Sequence, residues 1–299
     1  MKKLLLLALL FSATQVSATT LSSNIKAGEI ALVKISQLHP TQASVGYREM
    51  DYKEKRYHDD QKKMFADYCE SAGQKGVAKF DQHSTLTNLT SFSCKLPVGS
   101  QPNEMKTAVI APNNELYLTD GHHTFTNFAA LSGQNTPVYV RITDDFRSLK
   151  TMPQFWETMQ EKHLVWLDTP TGDIKPSELP KTLTRSEMQN DEYRSLMYYL
   201  RDIGFKKPNN PPPFLEFYWG KWLQKQLPLT DFDLNTKQGY AKVITAAAEK
   251  MTSIPLNTII AETETGPVTA EQMGSLKKVN KKELNKLLSA TGKLSWAFL

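Results

Sequence analysis

The sequence predicts an α+β fold: a small mixed-sheet core followed by a mainly helical C-terminal region. Short apolar runs bounded by turn residues recur between residues 30 and 142, as strands do. From about residue 150 onward, apolar side chains return at helical spacing instead. No internal repeat is evident, and 299 residues with 40% hydrophobic and 22% charged side chains suffice for a sizeable core in one large domain or two ordinary ones. That composition excludes wholesale disorder, collagen-like repeats and a disulfide-dense miniprotein.

The chain opens with Met1-Lys2-Lys3, an apolar run over residues 4–11, and the small residues Val16-Ser17-Ala18. This is the pattern of a secretory signal peptide over residues 1–18, cleaved after Ala18. The apolar run is short for a bilayer core of about 30 Å, so no stable membrane anchor is expected after cleavage. The expected location is a bacterial periplasm or the medium. Loss of Lys2 and Lys3 lowers the formal charge from +5 to +3, an excess too mild to require an anionic partner. In an oxidising compartment the only two cysteines, Cys69 and Cys94, are expected to join. The bridge would close a loop of about 25 residues and contribute on the order of 3 kcal/mol.

Residues 30–35, Ile-Ala-Leu-Val-Lys-Ile, read as a buried strand ended by Leu38-His39-Pro40-Thr41. Residues 42–55 read as a polar, charged loop. Asp59 or Asp60 can cap a helix with Met64, Phe65, Tyr68 and Cys69 on one face. Residues 73–102 are rich in Gly, Ser, Thr and Asn with little periodicity. Residues 107–111 and 115–119 form a hairpin around Pro112-Asn113-Asn114, and Asp120-Gly121-His122-His123-Thr124 leads into a helix with Phe125, Phe128 and Ala129 inward. Residues 138–142 make a further strand.

Beyond it, Phe155, Trp156, Met159 and His163 recur at helical spacing, and residues 168–180 are a connector. Asp191 can cap a helix carrying Tyr193, Leu196, Met197, Leu200 and Ile203, stopped by Gly204. Phe214, Phe217, Tyr218 and Trp222 mark an aromatic helix, and Tyr240, Val243, Ile244, Ala247 and Met251 another. Thr269 with Gln272 and Asn280 with Glu283 read as capping pairs for two last helices. The expected division is a core over 30–150, a helical extension over 151–228 packing on it, and a helical tail over 229–299 of unassigned role.

Chemistry is expected at the histidine pair. Where a strand meets a helix, unpaired backbone N–H groups and the positive end of the helix dipole favour an anion, phosphate above all. Gly121 allows close approach to the backbone, and the imidazoles can donate hydrogen bonds, move protons or bind metal. In a purely structural role, Asp120 would cap the helix while one imidazole packs and the other is solvated. The spacing is not that of a His-x-x-x-His metal pair. His39, His58, His83 and His163 stand singly and read as structural or exposed.

Ile35-Ser36-Gln37-Leu38-His39-Pro40-Thr41-Gln42, Val45-Gly46 and Leu118-Thr119-Asp120-Gly121-His122-His123-Thr124 together resemble the ParB-like/sulfiredoxin superfamily, and more narrowly the putative ParB-like nuclease family. Residues 190–197 and 212–220 resemble that family's helical C-terminal part, so the similarity spans about residues 30–225. The resemblance implies a nucleotide phosphate at the turn before the helix, makes Thr41 and Gln42 further site candidates, and fits Glu49 and Lys53 to the family's acidic and basic positions. Sulfiredoxins place a catalytic cysteine where His122 stands. Partitioning ParB proteins carry Glu-Arg-Arg where this chain has His122, His123 and Thr124, and the free-serine kinases carry arginine where it has Thr124. Each departure argues against that branch's chemistry.

Two function classes follow. The first is a phosphoester hydrolase on nucleic acid or nucleotides. In it Gly121, His122, His123, Thr124 and Lys53 bind phosphate, His122 or His123 transfers protons, and Glu49 activates water. Asp120 or Glu49 would hold a divalent metal such as Mg²⁺ or Mn²⁺. The second is a non-catalytic periplasmic module for a phosphorylated ligand or a protein partner, with residues 214–219 as its contact surface, although at helical spacing such a run more often packs as core against the sheet. The sequence indicates no particular protein partner. An exposed aromatic patch favours the module, and a pocket converging on His122, His123 and Glu49 favours the hydrolase.

Overall fold

A computed structural model describes residues 25–263 and 266–298; the signal peptide expected over residues 1–18 lies outside the described residues. Strand β1 (Ile30–Lys34) enters the edge of a five-stranded sheet. It is half-buried rather than buried: Ala31 and Val33 face the core, while Ile30 and Leu32 are 39% and 53% exposed. A 3-10 turn (Ile35–Gln37) leads into β2 (Leu38–Pro40) and β3 (Ser44–Val45). Residues 47–55, expected as part of a loop, belong instead to helix α1 (Tyr47–Asp59). Met50, Tyr52 and Tyr57 supply its buried side among mostly charged neighbours. Helix α2 (Gln61–Ser71) starts as expected, with the Asp60 side chain accepting from the Lys63 amide.

Residues 73–102 hold only the short pair β4 (Val77–Lys79) and β5 (Ser93–Cys94). The Cys69–Cys94 disulfide, with its Cα atoms 5.6 Å apart, ties this irregular stretch to α2. The hairpin expected around residues 112–114 is β6 (Thr107–Ile110) and β7 (Leu116–Asp120). Helix α3 (His122–Ser132) buries Phe125, Phe128 and Ala129, and β8 (Pro137–Asp145) follows. The strand order is β1-β8-β6-β7-β2. β8 and β6 are parallel, as are β7 and β2, and the other neighbours are antiparallel. The sheet is therefore mixed, and the end of β7, where α3 begins, lies inside it rather than at its rim.

Helix α4 (Met152–Glu161) buries Phe155 and Met159 and stops before His163, which takes a positive φ of 48°. The hairpin β9 (Asp168–Thr169) and β10 (Gly172–Asp173) precedes β11 (Gln189–Asn190), which pairs with β3. Helix α5 (Glu192–Leu200) is capped by Asp191 as expected and ends four residues before Gly204. Helix α6 (Leu215–Gln226) carries the aromatic run, but as core: Leu215, Phe217, Trp219 and Trp222 are buried, and Trp219 Nε1 donates to the Met273 carbonyl at 3.0 Å. No contact surface is formed from these buried residues.

Helix α7 (Lys237–Ser253) is followed by a hairpin that the sequence pattern did not indicate, β12 (Ile259–Thr263) and β13 (Gly266–Thr269). Thr269 and Gln272 do bond to each other, but across a turn after β13 and not at a helix start. Asn280 caps α8 (Lys281–Leu288), and α9 (Lys293–Ala297) packs against α1. One apolar cluster joins α5 and α6 to Tyr240, Ile244, Met251, Leu284 and Leu294, so residues beyond 229 share a core with the helices before them. A separate cluster lies under the sheet, α2 and α3. No helix among the described residues is long and apolar enough to cross a membrane.

Candidate functional site

The turn from β7 into α3 depends on Gly121. Its φ of +117° suits glycine, and a Cβ there would stand 2.9 Å from Lys106 Cγ. Asp120 does not cap α3; its Oδ2 lies 3.0 Å from Lys106 Nζ. The Asp120 side chain stays largely exposed at the cleft; desolvation by the cleft walls acts to raise its carboxyl, but Lys106 holds it below the usual carboxylate range. His122, His123 and Thr124 then form the first turn of α3, whose amides have no intrahelical acceptors.

Both imidazoles bind backbone. His122 Nε2 accepts from the Thr41 amide at 3.0 Å, and His123 Nε2 accepts from the Gly46 amide at 2.9 Å. With Nε2 accepting, each ring carries its proton on Nδ1 and is neutral. Burial pushes His122 down to about 3, against the pull of Asp120. Burial also pushes His123 well below the usual range, with Arg194, His122 and Lys53 acting in the same direction. The pair thus clasps the segment between β2 and α1 to the start of α3. Thr41 is fully buried and donates from Oγ1 to the Leu118 carbonyl at 2.6 Å, while Gln42 Nε2 donates to the Ser44 carbonyl at 2.6 Å.

That clasp delivers α1. Glu49 and Lys53, one turn apart, reach the same place: Glu49 Oε2 lies 3.1 Å from Arg194 Nη1 and 3.7 Å from His123 Nε2, and Oε1 lies 4.0 Å from Lys53 Nζ. Arg194 comes from α5, and beside it Glu216 of α6 pairs with Arg201. Against its burial, Arg194 and Arg201 hold Glu216 below the usual carboxylate range.

These groups line one cleft of about 610 Å³. His122, His123, Thr124, Gly121, Asp120, Glu49, Lys53 and Gln42 all reach it, whereas Thr41 only positions His122. Six basic side chains face it against four acidic ones, so the cleft suits an anion. In the β8 wall, Arg141 Nε and Thr143 Oγ1 are buried with no hydrogen-bond partner among the described residues.

The donor set does not fit a resident Mg²⁺ or Mn²⁺. Glu49 is matched by Arg194 and Lys53, Asp120 by Lys106, and both Nε2 lone pairs accept from amides. Among the described residues, no three His, Cys, Asp or Glu side chains group as metal ligands.

Sequence reasoning missed Lys106, Arg141, Arg194, Arg201, Lys207 and Glu216 as cleft residues. Two had a signal: Arg194 and Glu216 lie within the two C-terminal segments that carry the family resemblance.

The family described as "Putative ParB-like nuclease" matches residues 31–225, and the chain belongs to that family. Among solved structures, the crystal structure of protein Atu1540 from Agrobacterium tumefaciens superposes with a TM-score of 0.52 at 20% identity, covering 75% of this chain and 91% of that chain. The likeness shows a shared fold. No curated protein matches the sequence.

Proposed function

We propose that the cleft holds a phosphate ester at the first turn of α3 and hydrolyses it, with nucleic acid or a nucleotide as substrate. The observation that carries this reading is the convergence of a helix N-terminus, a surplus of cations and the Glu49 carboxylate in one cleft. The α3 amides, Thr124 and Lys53 would bind the phosphoryl oxygens. With Nε2 committed to backbone, His122 and His123 would serve as neutral Nδ1–H donors and positioners rather than as proton carriers. Water attacks phosphorus and loses a proton to Glu49, which Arg194 and Lys53 orient. The ester P–O bond breaks, and the departing oxygen is protonated by solvent. Export to the periplasm belongs to the same proposal and draws support from the Cys69–Cys94 bridge.

A second reading, a non-catalytic phosphate-binding module, is favoured by one observation: Glu49 and both imidazole Nε2 atoms are already engaged within the protein. Degradation of single- and double-stranded nucleic acid by the mature protein, with Mg²⁺, Mn²⁺ or EDTA, separates the two. Cleavage lost by about 100-fold or more in a folded Glu49→Gln variant is the expected outcome. No cleavage under any condition, with phosphate still bound, would leave the binding module.

A further inference from the structure

A second compartment of about 320 Å³ adjoins the cleft. Lys53, Lys106, Thr124, Tyr198 and Arg201 line both, so a ligand at the start of α3 abuts the second space directly. Beyond that shared wall the compartment adds Arg56, Lys63 and Lys293, and its six basic side chains face three acidic ones. Two of the added cations are already matched: Arg56 pairs with Asp60 at 2.8 Å and Lys63 with Asp67 at 2.5 Å. Lys293 is not. Its ammonium lies over the Tyr198 ring, 4.9 Å from the centroid, and it makes no ion pair among the described residues.

Although solvent reaches Lys293, the protein around it and the charges of Arg201 and Lys53 hold it below the usual lysine range, against the weaker pull of Glu49 and Asp202. An anion placed among these cations would relieve their crowding. Lys293 belongs to α9, well beyond residue 225 where the family match ends. The helix is held against α1: Arg48 Nη1 donates to the Ala297 carbonyl at 3.3 Å, and the Arg56 guanidinium lies 5.0 Å from the Trp296 ring centre. The segment outside the family match thus places an exposed cation, with no ion-pair partner among the described residues, beside the helix that carries Glu49 and Lys53.

We propose that this compartment is a second anion subsite: the ligand carries at least two phosphate groups, one at the first turn of α3 and the next beside Lys293. The inference rests on the reading of the cleft as a phosphate site, and the test separates the two. The full mature chain is titrated calorimetrically with inorganic phosphate, linear tripolyphosphate and a 5′-phosphorylated thymidine dinucleotide, beside Lys293→Met and Lys293→Arg.

The expected result is tighter binding of at least one multiply phosphorylated probe than of phosphate. Lys293→Met weakens that probe about tenfold while leaving phosphate within about twofold, and Lys293→Arg restores it. A response to tripolyphosphate alone assigns a nucleotide polyphosphate, and a response to the dinucleotide alone assigns a phosphodiester chain. Equal binding of all probes by the unaltered protein, no effect of Lys293→Met, or an equal loss for phosphate would overturn the subsite and leave the cleft reading standing. If phosphate itself fails to bind, both fall.

Discussion

At His122 the lone pair that would accept a proton is taken by the Thr41 amide, and the ring is buried. Protonation would break that bond and place a charge in a dry site, which is why the imidazole stays neutral down to about 3. An unfolded chain protonates the same ring near its ordinary value of about 6.5. Between those values the unfolded state binds more protons, so His122's contribution to stability is full above about pH 6.5 and declines on acidification. The slope is about 1.4 kcal/mol per pH unit for one such group. Urea midpoints of the unaltered protein should therefore fall more between pH 7.5 and 4.5 than those of His122→Gln. Equal falls would show that the ring titrates normally. The same neutrality predicts no histidine inflection from His122 or His123 in any pH–activity profile between 5 and 8.

Among the elements, the decisive contact is between α1 and α5. Gly46 precedes α1, and a Cβ there would meet the Ser195 backbone at 2.8 Å, so the absence of a side chain lets α5 approach. That approach seats Arg194 on Glu49, a pair whose side chains are only 10% and 6% exposed. Removing one partner leaves a buried charge with reduced compensation. Arg194→Met should lower stability by on the order of 3 kcal/mol, and a Glu49→Gln/Arg194→Met double variant should recover part of that loss. Denaturant unfolding of the three proteins decides it. A single variant within about 0.5 kcal/mol of the parent would mean that the pair is not holding the helices together.

For the whole molecule, the Cys69–Cys94 bridge and the shared helical core matter most. The bridge spans an irregular stretch that contributes few strands, so much of that stretch's order depends on it. Replacing both cysteines with alanine should cost on the order of 3 kcal/mol in the unfolding free energy, read from urea midpoints beside the oxidised parent. A midpoint unchanged by the double substitution would assign the order of this stretch to its hydrogen bonds instead. The C-terminal segment is bound into the same core as α5 and α6, so the cleft walls from α5 and α6 stand on a foundation that extends to α9.

Much of this was legible locally. Turn residues marked the β6–β7 hairpin, apolar periodicity marked α2, α5, α6 and α7, and Asp-Gly-His-His-Thr marked the strand-to-helix turn. Helix α1 was not legible, because charged side chains outnumber its few inward residues and a solvated helix and a solvated loop share that composition. Asp120 showed the reverse: it is a competent cap by type, yet Lys106, 14 positions away, holds it as an ion pair instead. The bonds that define the site span 81 positions from Thr41 to His122 and 145 from Glu49 to Arg194. Turns, caps and periodic faces are settled by neighbours a few residues apart, so the sequence by itself determined the family, the α+β class and the place of the histidine turn. Which charges meet, and whether an imidazole accepts from backbone or faces a ligand, depends on how distant segments pack, so only the tertiary structure decided that the histidines are neutral and Glu49 is paired.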